Sequence, residues 1–422
     1  MLTIIRKNFR WLLIIVVCFI GWRMVVIGLG EYYMRAADKG LEKDKFKSVD
    51  LALDWNPNHP KALFYKAEQL YKSDPLQAEK LLRNSIHHNP ASGHSMVLLA
   101  ELMLDKQEIE EADKLAEHAV DLMSSNKRVR AKVAEYWMRR NKPEKALQNW
   151  RALLITDISY GHKIFPVLTK VAEDPASRYL IKPLALDPPL WWGSFYRYLS
   201  EKTINLDALI AVTSMRDLSE VKLSDGERLY LVRRLLKEQI WSGAYLVWIN
   251  GLDSEQRKYL GNVYNGGFEL EPSNEGFDWV FPRVKGVEFI RQETYSLAGI
   301  KALHLTFNGQ EMIFKHLRQY LFLPAGDQEF QVGIRMNQLS SRGGLKWVVR
   351  CSGDESRLLG ESNRLLGTSG WYKLRFHFTV PANDPACESQ LLRLESTGEN
   401  RYDHKLEGEI WFDSLAIKTL YK

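Results

Sequence analysis

Two acidic side chains beside a run of aromatics are the first residues in this chain whose types could do chemistry. Glu271 and Asp278 accompany Phe277, Trp279 and Phe281 within VYNGGFELEPSNEGFDWVF, from Val263 to Phe281. Glycoside cleavage uses two carboxylates set about 5–9.5 Å apart across the scissile bond, and a sequence does not fix a distance through space. Acidic residues near aromatics are also commonplace. There is no nucleophile elbow, HExxH, phosphate loop or dinucleotide fingerprint, so no catalytic residue is assigned and the expectation is a non-enzymatic protein. His87, His88 and His94 cluster near a turn, where an exposed loop is a simpler account than a metal site. Of the three cysteines, Cys18 lies in an apolar run, and Cys351 and Cys387 lie far downstream without a CxxC. That spacing supports neither a zinc site nor a thioredoxin-like motif. A Cys351–Cys387 disulfide is expected if that region is extracytoplasmic; two free thiols are the alternative.

The chain must supply the elements that position such residues. Its 422 residues suggest two or three domains. A composition of 45% hydrophobic and 26% charged residues is that of a globular protein with a real core. The net charge of +6 is dispersed without a dense Lys/Arg run, so nucleic acid is not an expected partner. At least half of the 13 tryptophans should be core.

RKNFRWLLIIVVCFIGWRMVVIGLG carries Arg6, Lys7 and Arg10 ahead of an apolar segment, 11–30, with Arg23 inside it. About 20 residues of helix span the roughly 30 Å hydrocarbon layer of a bilayer. Arg23 could snorkel to an interface, and Trp11 and Trp22 suit interfacial positions. The expectation is an uncleaved single-pass anchor with residues 1–10 in the cytoplasm; a signal peptide cleaved near Gly28 or Gly30 is the rival. Arg35, Lys39, Lys43 and Lys45 follow the segment, so charge alone does not set its orientation. The short leading tail favours export of the rest, to the periplasm if the chain is bacterial.

Residues 31–160 repeat. Ala78, Ala112 and Ala146 are 34 apart; Ala67, Ala100 and Ala134 follow at 33 and 34. Small residues at these offsets let two helices cross closely, while Trp137 and Trp150 fill larger gaps. About three units run from Lys61 to Tyr160, preceded by a half unit ending in LALDWNPNHP. The period resembles the tetratricopeptide repeat, and the resemblance implies a curved solenoid that holds a protein partner. Residues 161–260 stay helical while the strict period fades. There Ser224 and Glu227 could form a capping box. Trp191, Trp192, Trp241 and Trp248 are expected in a core or domain interface.

From 262 to 422 the period changes to two. LKWVVRC, LRFHFTV and EIWFDSLAI alternate like half-buried antiparallel strands, and the length suits a two-sheet jelly roll. The expected fold is thus multidomain: a transmembrane helix, a tetratricopeptide-type α-solenoid, then an antiparallel β-sandwich. NGGFE at Asn265–Glu269, GFDW, GIKALHLTF, GWYKLRFHFTVP and GEIWFDSLAI, in that order, resemble carbohydrate-binding modules with a galactose-binding-like jelly roll. The resemblance implies that Glu269 and Asp413 could hold a structural calcium, which needs six to eight oxygen ligands. It also implies sugar binding, with an aromatic plate under the pyranose and polar groups reading hydroxyls. Trp279 is the first candidate plate, then Trp347 and Trp371; Asp278, Arg335 and Gln390 are candidate hydroxyl readers. Together these point to a membrane-anchored adaptor that binds a protein through its repeats and a glycan or other envelope component through its jelly roll, by analogy in exopolysaccharide biosynthesis or export. Two alternatives stay open: an envelope polysaccharide hydrolase or lyase, and a structural scaffold without sugar affinity.

Overall fold

The computed structural model describes residues 2–39, 45–293, 297 and 299–420. The side chains of residues 2–12 and 39 fall outside that description, as does all of Lys43, and with them the expected roles of Arg6, Lys7, Arg10 and Trp11. The chain divides into two compact units, Met1–Trp192 and Gly193–Lys422.

The first unit is helical. Its elements are α1 (Leu2–Lys39), α2 (Lys45–Trp55), α3 (Pro60–Leu70), α4 (Pro75–His88), α5 (Gly93–Asp105), α6 (Ile109–Leu122), α7 (Lys127–Arg139), α8 (Pro143–Thr156), α9 (Gly161–Glu173) and α10 (Lys182–Leu186). Helix starts are written into the sequence. Prolines at the first helical positions of α3, α4 and α8 lose no intrahelical bond. Asp74 caps α4 through the Gln77 amide, and Asn126 caps α7 through those of Arg128 and Val129. The turn inside each hairpin recurs too. Gln107 and Asn141 both adopt positive φ, 63° and 53°, and the next residue donates back to the carbonyl of Met103 or Trp137. All six alanines of the two 34-residue series are fully buried at the crossings. Helices α5, α7 and α9 begin at Gly93, Lys127 and Gly161, so the spacing persists one helix beyond where the sequence pattern fades.

Helix α1 does not end where its apolar stretch ends. Residues 13–38 form a span of mean hydropathy 2.4, and the same helix continues into the array. Met34 and Ala37 are buried with Val49, Ala52 and Ala62. A Cβ on Gly30 would lie 3.1 Å from that of Asn56, and Trp22 lies 6.5 Å from Trp55. The last turns of the apolar helix are therefore the first helix of the first hairpin.

The second unit opens with α11 (Trp192–Lys202), α12 (Leu206–Asp217), α13 (Asp225–Lys237) and α14 (Trp241–Gly251). Ser224 and Glu227 form the capping box of α13, and Glu227 also accepts from the buried Arg216 at 2.9 Å. The α13–α14 turn repeats the hairpin geometry of the first unit: Gln239 has φ 59°, Ile240 donates to the Leu235 carbonyl, 2.9 Å, and Ala244 is fully buried.

A β-sandwich follows, built from β1 (Val287–Glu293), β2 (Lys301–Glu311), β3 (Leu317–Leu321), β4 (Gly326–Ser340), β5 (Leu345–Cys351), β6 (Leu358–Glu361), β7 (Gly367–Val380), β8 (Gln390–Ser396) and β9 (Lys405–Thr419). The sheets run β1-β2-β9-β4-β7 and β3-β8-β5-β6, with every pairing antiparallel. Alternation aims Leu303, Leu305, Phe330, Val332, Leu374, Phe376, Ile410 and Phe412 inward, against Trp347, Leu392 and Leu394.

The segment Val263–Phe281 joins the helices to this sandwich. Tyr245 of α14 stacks on Phe322 at 5.0 Å and meets Phe277 edge-on at 5.1 Å. Trp248 packs on Tyr264 and Phe277, and Trp241 on Tyr320. Gly276, at φ +59°, has no room for a side chain, because a Cβ would lie 2.6 Å from the Trp248 ring. Trp241 and Trp248 thus serve the expected interface. Trp191 belongs to the first unit, donating to the Arg151 carbonyl at 3.3 Å.

Candidate functional site

The structure moves most of the expected sugar-binding residues into the interior. Trp279 and Trp347 are fully buried, their rings 6.1 Å apart. The Trp279 indole donates to the Asn265 carbonyl at 3.1 Å. Neither can be a plate for a pyranose, because their faces are spent on the core. Gln390 is fully buried as well; it accepts from the Leu323 amide at 3.0 Å and donates to the Cys387 carbonyl at 2.6 Å. Asp278 is buried and accepts from the amides of Ser273 and Trp279, both at 2.7 Å. Burial pushes its carboxyl up, and those amides pull the other way. It fixes the GFDW turn. Glu271 is exposed and pairs with Arg291 at 2.6 Å, so it and Asp278 do not share an open cleft. Cys351 and Cys387 form a disulfide from β5 to the turn before β8.

Glu269 and Asp413 do come together. A Cβ on Gly267 would lie 3.6 Å from Asp413 Oδ1 and 4.0 Å from Glu269 Oε1. Both carboxylates hold the segment that leads into β2. Glu269 accepts from the amides of Ile300 and Lys301, at 2.8 and 3.1 Å. Asp413 accepts from that of Leu297 at 2.6 Å. Two carboxylates supply fewer oxygens than the six to eight that calcium takes, and no group of three metal-ligating side chains occurs among the described residues. The donor set does not fit the ion by itself.

Arg335 and Trp371 sit elsewhere, on the face of the five-stranded sheet turned away from the core. Paired positions run straight across it: Ile290 opposite His304, His304 opposite Trp411, and Trp411 opposite Arg335. On β7 the register slips between Tyr372 and Ser369, so Arg335 faces a bulge made by Gly370 and Trp371. Strands lie about 4.8 Å apart, and the side chains of this row stack at that spacing. The imidazole of His304 is parallel to Trp411 within 3°, its centroid 4.2 Å away. The Arg335 guanidinium covers the other side of the indole at 4.8 Å.

The row carries polar atoms that nothing in the protein satisfies. His304 Nδ1, Trp411 Nε1 and Trp371 Nε1 are all buried without a hydrogen-bond partner. Each orphan costs about 1–3 kcal/mol, and such groups in a native fold call for a reason. Burial pushes the His304 imidazole down, against the pull of Glu409 and Glu288. Its Nε2 side faces Glu409 at 3.6 Å and Thr306 at 3.4 Å, and Glu409 also accepts from Asn337 at 2.9 Å. With the proton on Nε2, Nδ1 is left as an acceptor on the same face as two indole donors. Sequence reading missed His304 and Trp411. Their signal was a large ring at an outward position in two strands that pair.

No family model matches the chain, and no curated protein matches it. Among solved structures it is similar to a CBM4 module, with 13% identity, 37% of this chain and 99% of that chain covered, and a TM-score of 0.29. It is also similar to the CBM22-1 xylan-binding domain of Paenibacillus barcinonensis Xyn10C, with 15% identity, 37% and 93% coverage and a TM-score of 0.25. A third likeness is to MamA, with 16% identity, 32% and 79% coverage and a TM-score of 0.24. Likeness at this level says nothing about ligands.

Proposed function

We propose that this chain is a membrane-anchored, non-catalytic adaptor whose β-sandwich holds a glycan on the outer face of its five-stranded sheet. The observation that carries the reading is the row His304–Trp411–Arg335 with Trp371, where two indole N–H groups and an imidazole nitrogen are buried and unanswered. Sugar hydroxyls both donate and accept, so an oligosaccharide laid across the strands offers partners of both kinds to such groups. The tetratricopeptide-type hairpins of the first unit would hold a protein partner. The apolar helix α1 would anchor the chain in a bacterial inner membrane with both units in the periplasm; the Cys351–Cys387 disulfide suits that oxidising compartment. A place in exopolysaccharide synthesis or export accords with all three parts.

The test is direct binding of the full chain, in detergent, to a panel of immobilised polysaccharides. His304→Ala and Trp371→Ala should each weaken binding at least tenfold with an unchanged melting temperature. A folded chain that binds no polysaccharide on the panel ends this reading.

A further inference from the structure

The charges on the same face sharpen the ligand. Alternation along β7 puts Lys373 and Arg375 outward, since Leu374, Phe376 and Phe378 point into the core. Their partners across the ladder are Gly333 and Gln331, next along β4 from Arg335. All three basic side chains are exposed, and none has an ion pair or side-chain hydrogen bond among the described residues. The acidic groups nearest these cations have partners of their own: Glu329 meets His377 at 3.3 Å and Glu409 accepts from Asn337; Glu288 and Glu407 lie toward the β1–β2–β9 side of the face. The β4–β7 side of the face therefore offers three cations without an ion-pair partner among the described residues, around a half-buried indole.

Resting on the glycan reading above, we infer that the ligand is an acidic polysaccharide carrying uronate carboxylates, with Arg335 as the carboxylate receptor. A guanidinium held over an indole, at 4.8 Å from its centroid, keeps N–H groups that can take both oxygens of a carboxylate in parallel. Lys373 and Arg375 extend the attraction along the polymer. A single-stranded nucleic acid fits the charge less well. Its bases need open aromatic faces, and both faces of Trp411 are closed by His304 and Arg335.

Full chain in detergent, at physiological salt, would be titrated with alginate, polygalacturonate and hyaluronate, each beside its carboxyl-reduced, neutral counterpart. Dextran sulfate serves as a bare polyanion. At least one acidic polymer should bind ten or more times tighter than its reduced form. Arg335→Gln should abolish that preference, the affinity for the acidic form falling by a larger factor than that for the reduced form, and Arg335→Lys should restore only part of it. Trp371→Ala should weaken both forms. Equal affinity for acidic and reduced polymers overturns the uronate inference and leaves the glycan reading standing. So does binding to dextran sulfate as tight as to any uronate, if it is indifferent to Trp371→Ala. Loss of binding to every polymer, acidic and neutral, removes both.

Discussion

Trp279→Ala and Trp411→Ala remove the same side chain from the core of the sandwich and from its outer face, and they should fail differently. Trp279 is fully buried in the core, so its loss is expected to cost about 3–5 kcal/mol in denaturant unfolding. Trp411 is buried on the outer face with His304 and Arg335 against it, so its loss should show in glycan titration as well as in unfolding. A second residue-scale expectation concerns Asp113. Burial opposes its charge, but bonds from Arg140, Lys142 and Tyr136 outweigh it and hold the carboxyl well below the usual range. A depressed folded value means the stabilisation is present at neutral pH and disappears as the group is protonated. The gap in melting temperature between wild type and Asp113→Asn should therefore be widest near pH 7 and close below about pH 4. Glu269 and Asp413 act on amides in this fold, so chelator should leave the melting temperature unchanged; a drop on adding EDTA would place a cation between them. At this scale the sequence was least informative. Trp279 and Trp371 are both aromatic residues near glycines, and only the fold decides which of them faces water.

Elements were more legible. The alanine series announced the helix crossings, and prolines and cap residues announced the starts. Ala100→Leu, at a fully buried crossing, should cost about 1–3 kcal/mol by overpacking, read by thermal unfolding. Period two announced the strands, but not their register, because pairing is fixed by bulges such as the one at Gly370–Trp371 that leave no mark in the pattern. The joint between α14 and the sandwich was half visible. Trp241 and Trp248 are expected in a core or domain interface from the sequence, while Tyr245 and Phe322, which stack at the joint, have nothing to mark them. Gly276→Ala should loosen this joint. It puts a methyl into the Trp248 ring at a left-handed backbone position, and a red-shifted tryptophan emission with a lower melting temperature is the expected result.

On the scale of the whole molecule, the disulfide and the first helix bear on where the chain works. Cys351→Ala should destabilise the sandwich by about 2–4 kcal/mol if the bond forms in the cell, as measured on protein purified without reductant. Helix α1 is one element from the apolar stretch to the repeats: Gly30 packs on α2 and the loop after it, and Met34 and Ala37 lie inside the first hairpin. A flexible linker lets a tethered module sweep a volume that grows with its length. A continuous helix forbids that. If α1 spans the bilayer, the first hairpin is a rigid post at fixed height above the lipid, its orientation set by the tilt of one helix. Partners must then meet it by diffusion in the plane of the membrane or as polymers emerging close to it, and a few glycines placed after Gly28 would trade that fixed height for reach.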